Sequence, residues 1–163
     1  RELMRDERRT VGRLDSRFVG PEYDGAGDSM ERDPSLSALS GVYASAFHHD
    51  VRSRRGYDDE VYELLNLKVN RGWTYPPMGF LDVAPRLRSA MHANAHLRVL
   101  AVSGLYDLAT PPFATEYTLA HLGIDPSLQE QVRHVVYPAG HMMYAHEPSM
   151  DALRDDLLRF YRE

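Results

Sequence analysis

Cysteine is absent from the 163 residues, which excludes disulfides, thiolate metal sites and a cysteine nucleophile together and leaves the redox compartment open. Lysine is almost absent: Lys68 stands alone among 19 basic residues, so arginine carries nearly all the positive charge. No basic block is long enough to follow a phosphate backbone or an anionic membrane, and 24 acidic residues bring the formal net charge to −5. Nucleic acid is therefore not an expected partner. Long apolar runs are missing too. None approaches the roughly 20 residues a membrane-crossing helix needs, so no membrane span is expected. The first nine residues, Arg1 to Arg9, hold no apolar signal core, and position 1 is not methionine.

What the chain does have is 43% hydrophobic residues, enough for one real core and too few residues for two ordinary domains. Its two halves differ in pattern. Leu3, Met4, Val11 and Leu14 are spaced as one face of a short charged helix. Residues 16 to 36, rich in Asp, Gly and Pro, read as loop. Apolar residues at helical spacing predict helices from Leu36 to about Phe47 and from Tyr57 to Leu67, the latter through Val61, Leu64 and Leu65. Trp73 to Phe80 is an aromatic connection broken by Pro76 and Pro77, which either lines a pocket or packs under a loop.

From Ala84 onward the pattern alternates. An amphipathic segment, Ala84 to Ala93, precedes the apolar run Leu97 to Gly104, which reads as a buried parallel strand. Thr110-Pro111-Pro112 offers an N-cap and a first-turn proline for a helix from Phe113 to Leu122, closed by Gly123. A short turn at Ser127 to Gln131 leads to a strand, His134 to Tyr137. A last helix spans Met150 to Tyr161, with Leu153, Leu157, Phe160 and Tyr161 facing inward. Helix, strand, helix, strand, helix implies an α/β fold whose functional groups lie beyond the carboxyl ends of parallel strands.

Both predicted strands are followed by a reactive side chain: Asp107 after the first, His141 after the second. An imidazole acting as general base must be held in one tautomer, and a carboxylate on its Nδ1 does that. Acid before histidine is the order of the last two members of a Ser, Asp, His triad in this class of fold. Met142 and Met143 beside His141 suit either an adaptable substrate surface or the core, and Tyr106 and Tyr144 are open in the same way.

Ser103-Gly104-Leu105-Tyr106-Asp107-Leu108-Ala109-Thr110-Pro111 and Ala139-Gly140-His141-Met142-Met143-Tyr144 resemble the acid and histidine motifs of bacterial serine carboxypeptidases. Val11-Gly12-Arg13-Leu14-Asp15, the Trp73 stretch, Ala90-Met91 with Asn94, Glu116 to Leu122 and the closing helix extend the resemblance over most of the chain. It implies the C-terminal part of an α/β-hydrolase, with residues 1 to 83 the end of a helical cap and residues 84 to 163 the last strands and helices of the core. It also implies Asp107 as triad acid, His141 as general base, a peptide as substrate, and a periplasmic or secreted setting. No cofactor is expected.

The nucleophile is what the sequence does not supply. No Gly-x-Ser-x-Gly occurs, and Ser103 falls in a predicted strand with a single following glycine. In the family the elbow serine, the oxyanion hole and the residues gripping the substrate carboxylate precede the acid. The expectation is therefore a fragment whose partner is the N-terminal part of the same polypeptide, inactive alone and prone to aggregate through an unpaired sheet edge. Two other readings stand beside it: a non-catalytic binding module on a hydrolase scaffold, and an esterase or acyltransferase of the same superfamily. His48-His49-Asp50, and His141 with His146, supply ligand types for a metal, but their spacing fits no helical or finger pattern, and no metal residues are assigned.

Overall fold

The computed structural model describes residues 2–57, 62–63, 65–75, 79 and 81–162. These divide into two compact units: one of residues 1–11 and 19–81, the other of residues 12–18 and 82–163. The main division falls at 81/82, two residues from 83/84, and the short segment 12–18 groups with residues far downstream.

In the first unit, a short 3-10 helix, Glu2–Glu7, leads into strand β1, Arg9–Val11, which pairs antiparallel with β2, Val19–Pro21. This corrects the sequence reading at both ends. The helical face expected through Val11 and Leu14 stops at Arg8, whose φ of 53° turns the chain into the strand, and the expected loop from residue 16 contains β2. Helix α1, Pro34–Arg55, is longer than Leu36 to Phe47 because its ends are well capped. The Asp33 carboxylate accepts the Ser35 and Leu36 N–H groups, and Gly56 closes the helix in the left-handed region at φ 63°. Helix α2 is only Leu67–Arg71, started by the Asn66 side chain. The expected helix from Tyr57 to Leu67 is not formed at Tyr62, Glu63 or Leu65, which lie in irregular backbone, while Val61 and Leu64 lie outside the described residues. Trp73 and Tyr75 are exposed, so neither packs beneath a loop; Pro76, Pro77 and Phe80 are outside the described residues.

The second unit carries the alternating pattern. Helix α3 is Ala84–Ala93, β3 is Val99–Gly104, α4 is Pro112–Ala120, β4 is Val132–Tyr137 and α5 is Glu147–Arg162. A 3-10 turn, Pro126–Gln131, precedes β4. The strands pair in parallel, with Val99 opposite Val132 and Gly104 opposite Tyr137, so both end at one level. Two apolar clusters hold this unit. Met91, Leu122 and Leu128 gather with Leu87, Leu97, Val99 and Ile124, while Tyr137, Ala139 and Met143 gather with Val102, Val135 and Leu153. Met143 is thus a core residue. On α5, Leu153 and Phe160 are partly covered, but Leu157 and Tyr161 are exposed, against the expectation of inner positions. Among the described residues no helix is long and apolar enough to cross a membrane.

Candidate active site

The level strand ends bring Asp107 and His141 together. Past Gly104 the chain turns at once: Leu105 N–H donates to Tyr137 O at 2.8 Å, and Tyr106 N–H to Ala139 O at 2.9 Å. These bonds continue the parallel ladder beyond both strands, so the two loops leave the sheet side by side. Glycine is required where they cross. A Cβ on Gly104 would lie 2.5 Å from the carbonyl carbon of Gly140, far inside contact distance.

His141 Nδ1 lies 2.7 Å from Asp107 Oδ2. The remaining lone pairs of the carboxylate are also used: Oδ1 accepts the N–H groups of Ala109 at 2.7 Å and Thr110 at 3.0 Å, and Oδ2 accepts the Thr110 hydroxyl at 2.6 Å. Asp107 is buried, at 3% exposure. Burial pushes its carboxyl up, but the bonds from Thr110, His141 and Ala109 together outweigh that and hold it below the ordinary carboxylate value. An ionised Asp107 is an acceptor only, so the proton between the two side chains belongs to His141 Nδ1. The Thr110 hydroxyl has donated its one proton to Asp107. Its oxygen, 3.2 Å from His141 Nδ1, therefore accepts from the same ring N–H.

Fixing the proton on Nδ1 leaves the Nε2 lone pair as the basic position. The His141 side chain is 44% exposed, and among the described residues nothing hydrogen-bonds to Nε2. The pair thus presents an oriented, open base to solvent. Thr110 was expected as the N-cap of α4. Instead the helix begins at Pro112 with no side-chain cap, because the Thr110 hydroxyl is committed to Asp107.

The other candidates are placed elsewhere. Ser103 is buried in β3 with its hydroxyl 2.9 Å from His134 Nε2, and it makes no bond to His141. Met142 is buried, while Tyr144 is exposed. His146 Nδ1 pairs with Ser149 Oγ at 2.7 Å, His48 Nε2 accepts the Tyr62 N–H, and Asp50 pairs with Arg54. Among the described residues no three His, Asp or Glu side chains gather as a metal site. A groove of about 430 Å³, lined by Leu119, Ile124, Val132 and His134 among others, includes neither Asp107 nor His141.

Sequence reasoning missed the segment Gly12 to Phe18, which is bound to both site loops. Ser16 N–H donates to Tyr106 O at 2.9 Å and Leu108 N–H to Arg13 O at 3.0 Å; on the other side His141 N–H donates to Leu14 O at 2.7 Å. Asp15, also buried, is gripped by Arg17 through Nε at 3.0 Å and a second guanidinium nitrogen at 2.7 Å. Burial raises the Asp15 carboxyl, and the Arg17 bonds and charge overcome this and lower it. No spacing rule links residue 15 to residue 141, so no local pattern signals this contact.

Comparison of the chain with protein-family models, with curated proteins and with solved structures gives no match. The geometry of the site and the motifs themselves carry the functional argument.

Proposed function

We propose that Asp107 and His141 are the acid and general base of a serine carboxypeptidase-like hydrolase of the α/β-hydrolase class. The observation that carries this reading is the 2.7 Å bond from His141 Nδ1 to a buried, ionised Asp107, with Nε2 left open. That arrangement is what nucleophile activation needs: the ring is held in one tautomer, and the imidazolium formed on taking a proton is stabilised by the charge behind it. In the proposed reaction His141 Nε2 takes the proton of a serine hydroxyl as its oxygen attacks the scissile carbonyl of a peptide. The same proton passes to the leaving amine, and water then releases the acyl group by the reverse path.

The serine is proposed to come from polypeptide outside these 163 residues, since no Gly-x-Ser-x-Gly is present and Ser103 is turned to His134. The sheet supports this. A parallel sheet is ordinarily covered on both faces and built of several strands, whereas β3 and β4 form a two-stranded sheet with most residues only half-buried. Further strands beside this pair would complete it. In the same reading the unit of residues 1–11 and 19–81 ends a helical cap, while residues 12–18 belong with the hydrolase core. The substrate is a peptide with a free C-terminus, and relatives acting on esters use the same chemistry.

The test is labelling with a serine-reactive fluorophosphonate, using the native gene product and, separately, residues 1 to 163. The expected result is one labelled serine outside this segment, labelling lost in His141→Gln, hydrolysis of blocked dipeptides by the native product, and none by residues 1 to 163 alone. A native product that neither labels nor hydrolyses peptides or esters would instead favour a binding module on the same scaffold.

A further inference from the structure

We propose that the Asp15–Arg17 ion pair is a positioning device that sets the Asp107–His141 hydrogen bond, making the segment Gly12 to Phe18 part of the site's machinery. This inference rests on the reading of Asp107 and His141 as the acid and base.

Position matters here because packing cannot hold the ring. The His141 side chain is 44% exposed, so its orientation follows from its Nδ1 bond and from where its backbone sits. That backbone is anchored directly to the segment: His141 N–H donates to Leu14 O, one residue before Asp15. Gly140 is fitted against the same place. A Cβ there would fall 2.5 Å from Leu14 O and 2.7 Å from the Asp15 carboxyl carbon. The acid's loop is anchored to the segment's other residues, through Ser16 to Tyr106 O and through Leu108 to Arg13 O. Two loops already bonded to each other where they leave the sheet are thereby also tied to one short piece of backbone.

Asp15 and Arg17 give that piece its rigidity. The carboxylate accepts the Arg17 backbone N–H at 3.0 Å as well as the two guanidinium bonds, closing the loop on itself. The third guanidinium nitrogen reaches Pro138 O at 3.2 Å, and the guanidinium carbon lies 4.9 Å from the centre of the Tyr106 ring. Arg17 therefore touches both site loops while holding Asp15. Only a planar fork with donors on all three nitrogens does this. A lysine would supply a point charge without the second and third contacts. Displacements of about 1 Å in such a support cost on the order of 10²-fold in rate.

The experiment reads the hydrogen-bonded His141 Nδ1 proton by NMR in histidine-labelled protein, its resonance assigned by loss in His141→Gln. In Asp15→Asn that resonance is expected to be lost or to move upfield, with the backbone spectrum still folded, and Arg17→Lys should give a smaller change in the same direction. Met91→Ala lowers stability through a core remote from both loops and should leave the resonance in place. In the native product the Asp15 variant should lose roughly 10- to 100-fold in kcat with KM little changed. A folded Asp15→Asn with an unshifted His141 proton overturns the proposal, as does an equal loss in Met91→Ala. If Asp15→Asn does not fold, Arg17→Lys decides in the same way. Asp107→Asn separates the two readings: an unchanged resonance there means the acid–base assignment has failed, whatever the Asp15 result.

Discussion

The Thr110 hydroxyl donates to Asp107 Oδ2 at 2.6 Å, on the same oxygen that receives the His141 ring N–H. One carboxylate oxygen thus serves both a fixed hydroxyl and the base it orients. The Asp107 carboxylate is held by neighbours two and three residues away in sequence as well as by His141.

Replacing Thr110 by valine keeps the shape and removes that donor. Because the Thr110 bonds help lower the Asp107 carboxyl, the variant's carboxyl should rise toward the ordinary value, read by carbon-13 titration. Activity of the native product should fall about 10-fold, as expected for one hydrogen bond to a charged group. An unchanged Asp107 titration would show that the hydroxyl does not contribute.

Asp107→Asn should fold and still lose activity on the order of 10⁴-fold in kcat, because an amide in that place no longer enforces the Nδ1 tautomer. The matched measurement is kcat with circular dichroism on the same preparation. A loss under 10-fold would remove Asp107 from the mechanism.

Acid should destabilise the second unit in a defined window. Asp15 and Asp107 are both lowered in the folded chain, so each binds a proton more readily when unfolded. Their stabilisation is fully present above the unfolded carboxylate value of about 3.9 and is lost as pH falls from there through the lower folded values. Urea midpoints should therefore drop as pH falls below about 4, and drop less in Asp15→Asn. Equal acid slopes in the two proteins would contradict this.

Gly140→Ala should be among the most damaging small substitutions, since its new Cβ meets Leu14 O and the Asp15 side chain. Overpacking of this kind costs about 1–3 kcal/mol, and the rigid backbone neighbour puts it at the upper end. Gly41→Ala on α1, where a Cβ meets nothing, should be neutral or stabilising. Thermal unfolding of the two variants checks the contrast.

The second half was the more legible part of the sequence. Its apolar runs and helical periods gave α3 with its observed ends and both parallel strands to within two residues, because burial pattern and local propensity agree there. The first half misled where those signals part. β1 and β2 are three-residue strands, too short for alternation to register, and α1 outruns its apolar stripe because its caps set its length.

By itself, the sequence determined the alternating order of elements, the two loops bearing Asp107 and His141, and the absence of a serine elbow, since each is written in local order and spacing. Tertiary structure alone decided that the two loops leave the sheet side by side, that Thr110 bonds to Asp107 rather than capping the helix, and that Arg17, paired with Asp15, contacts both loops. Those contacts join residues as far apart as Arg17 and Pro138, 121 positions along the chain. They come from the strand register and from the space left by Gly104 and Gly140, neither of which a local pattern encodes.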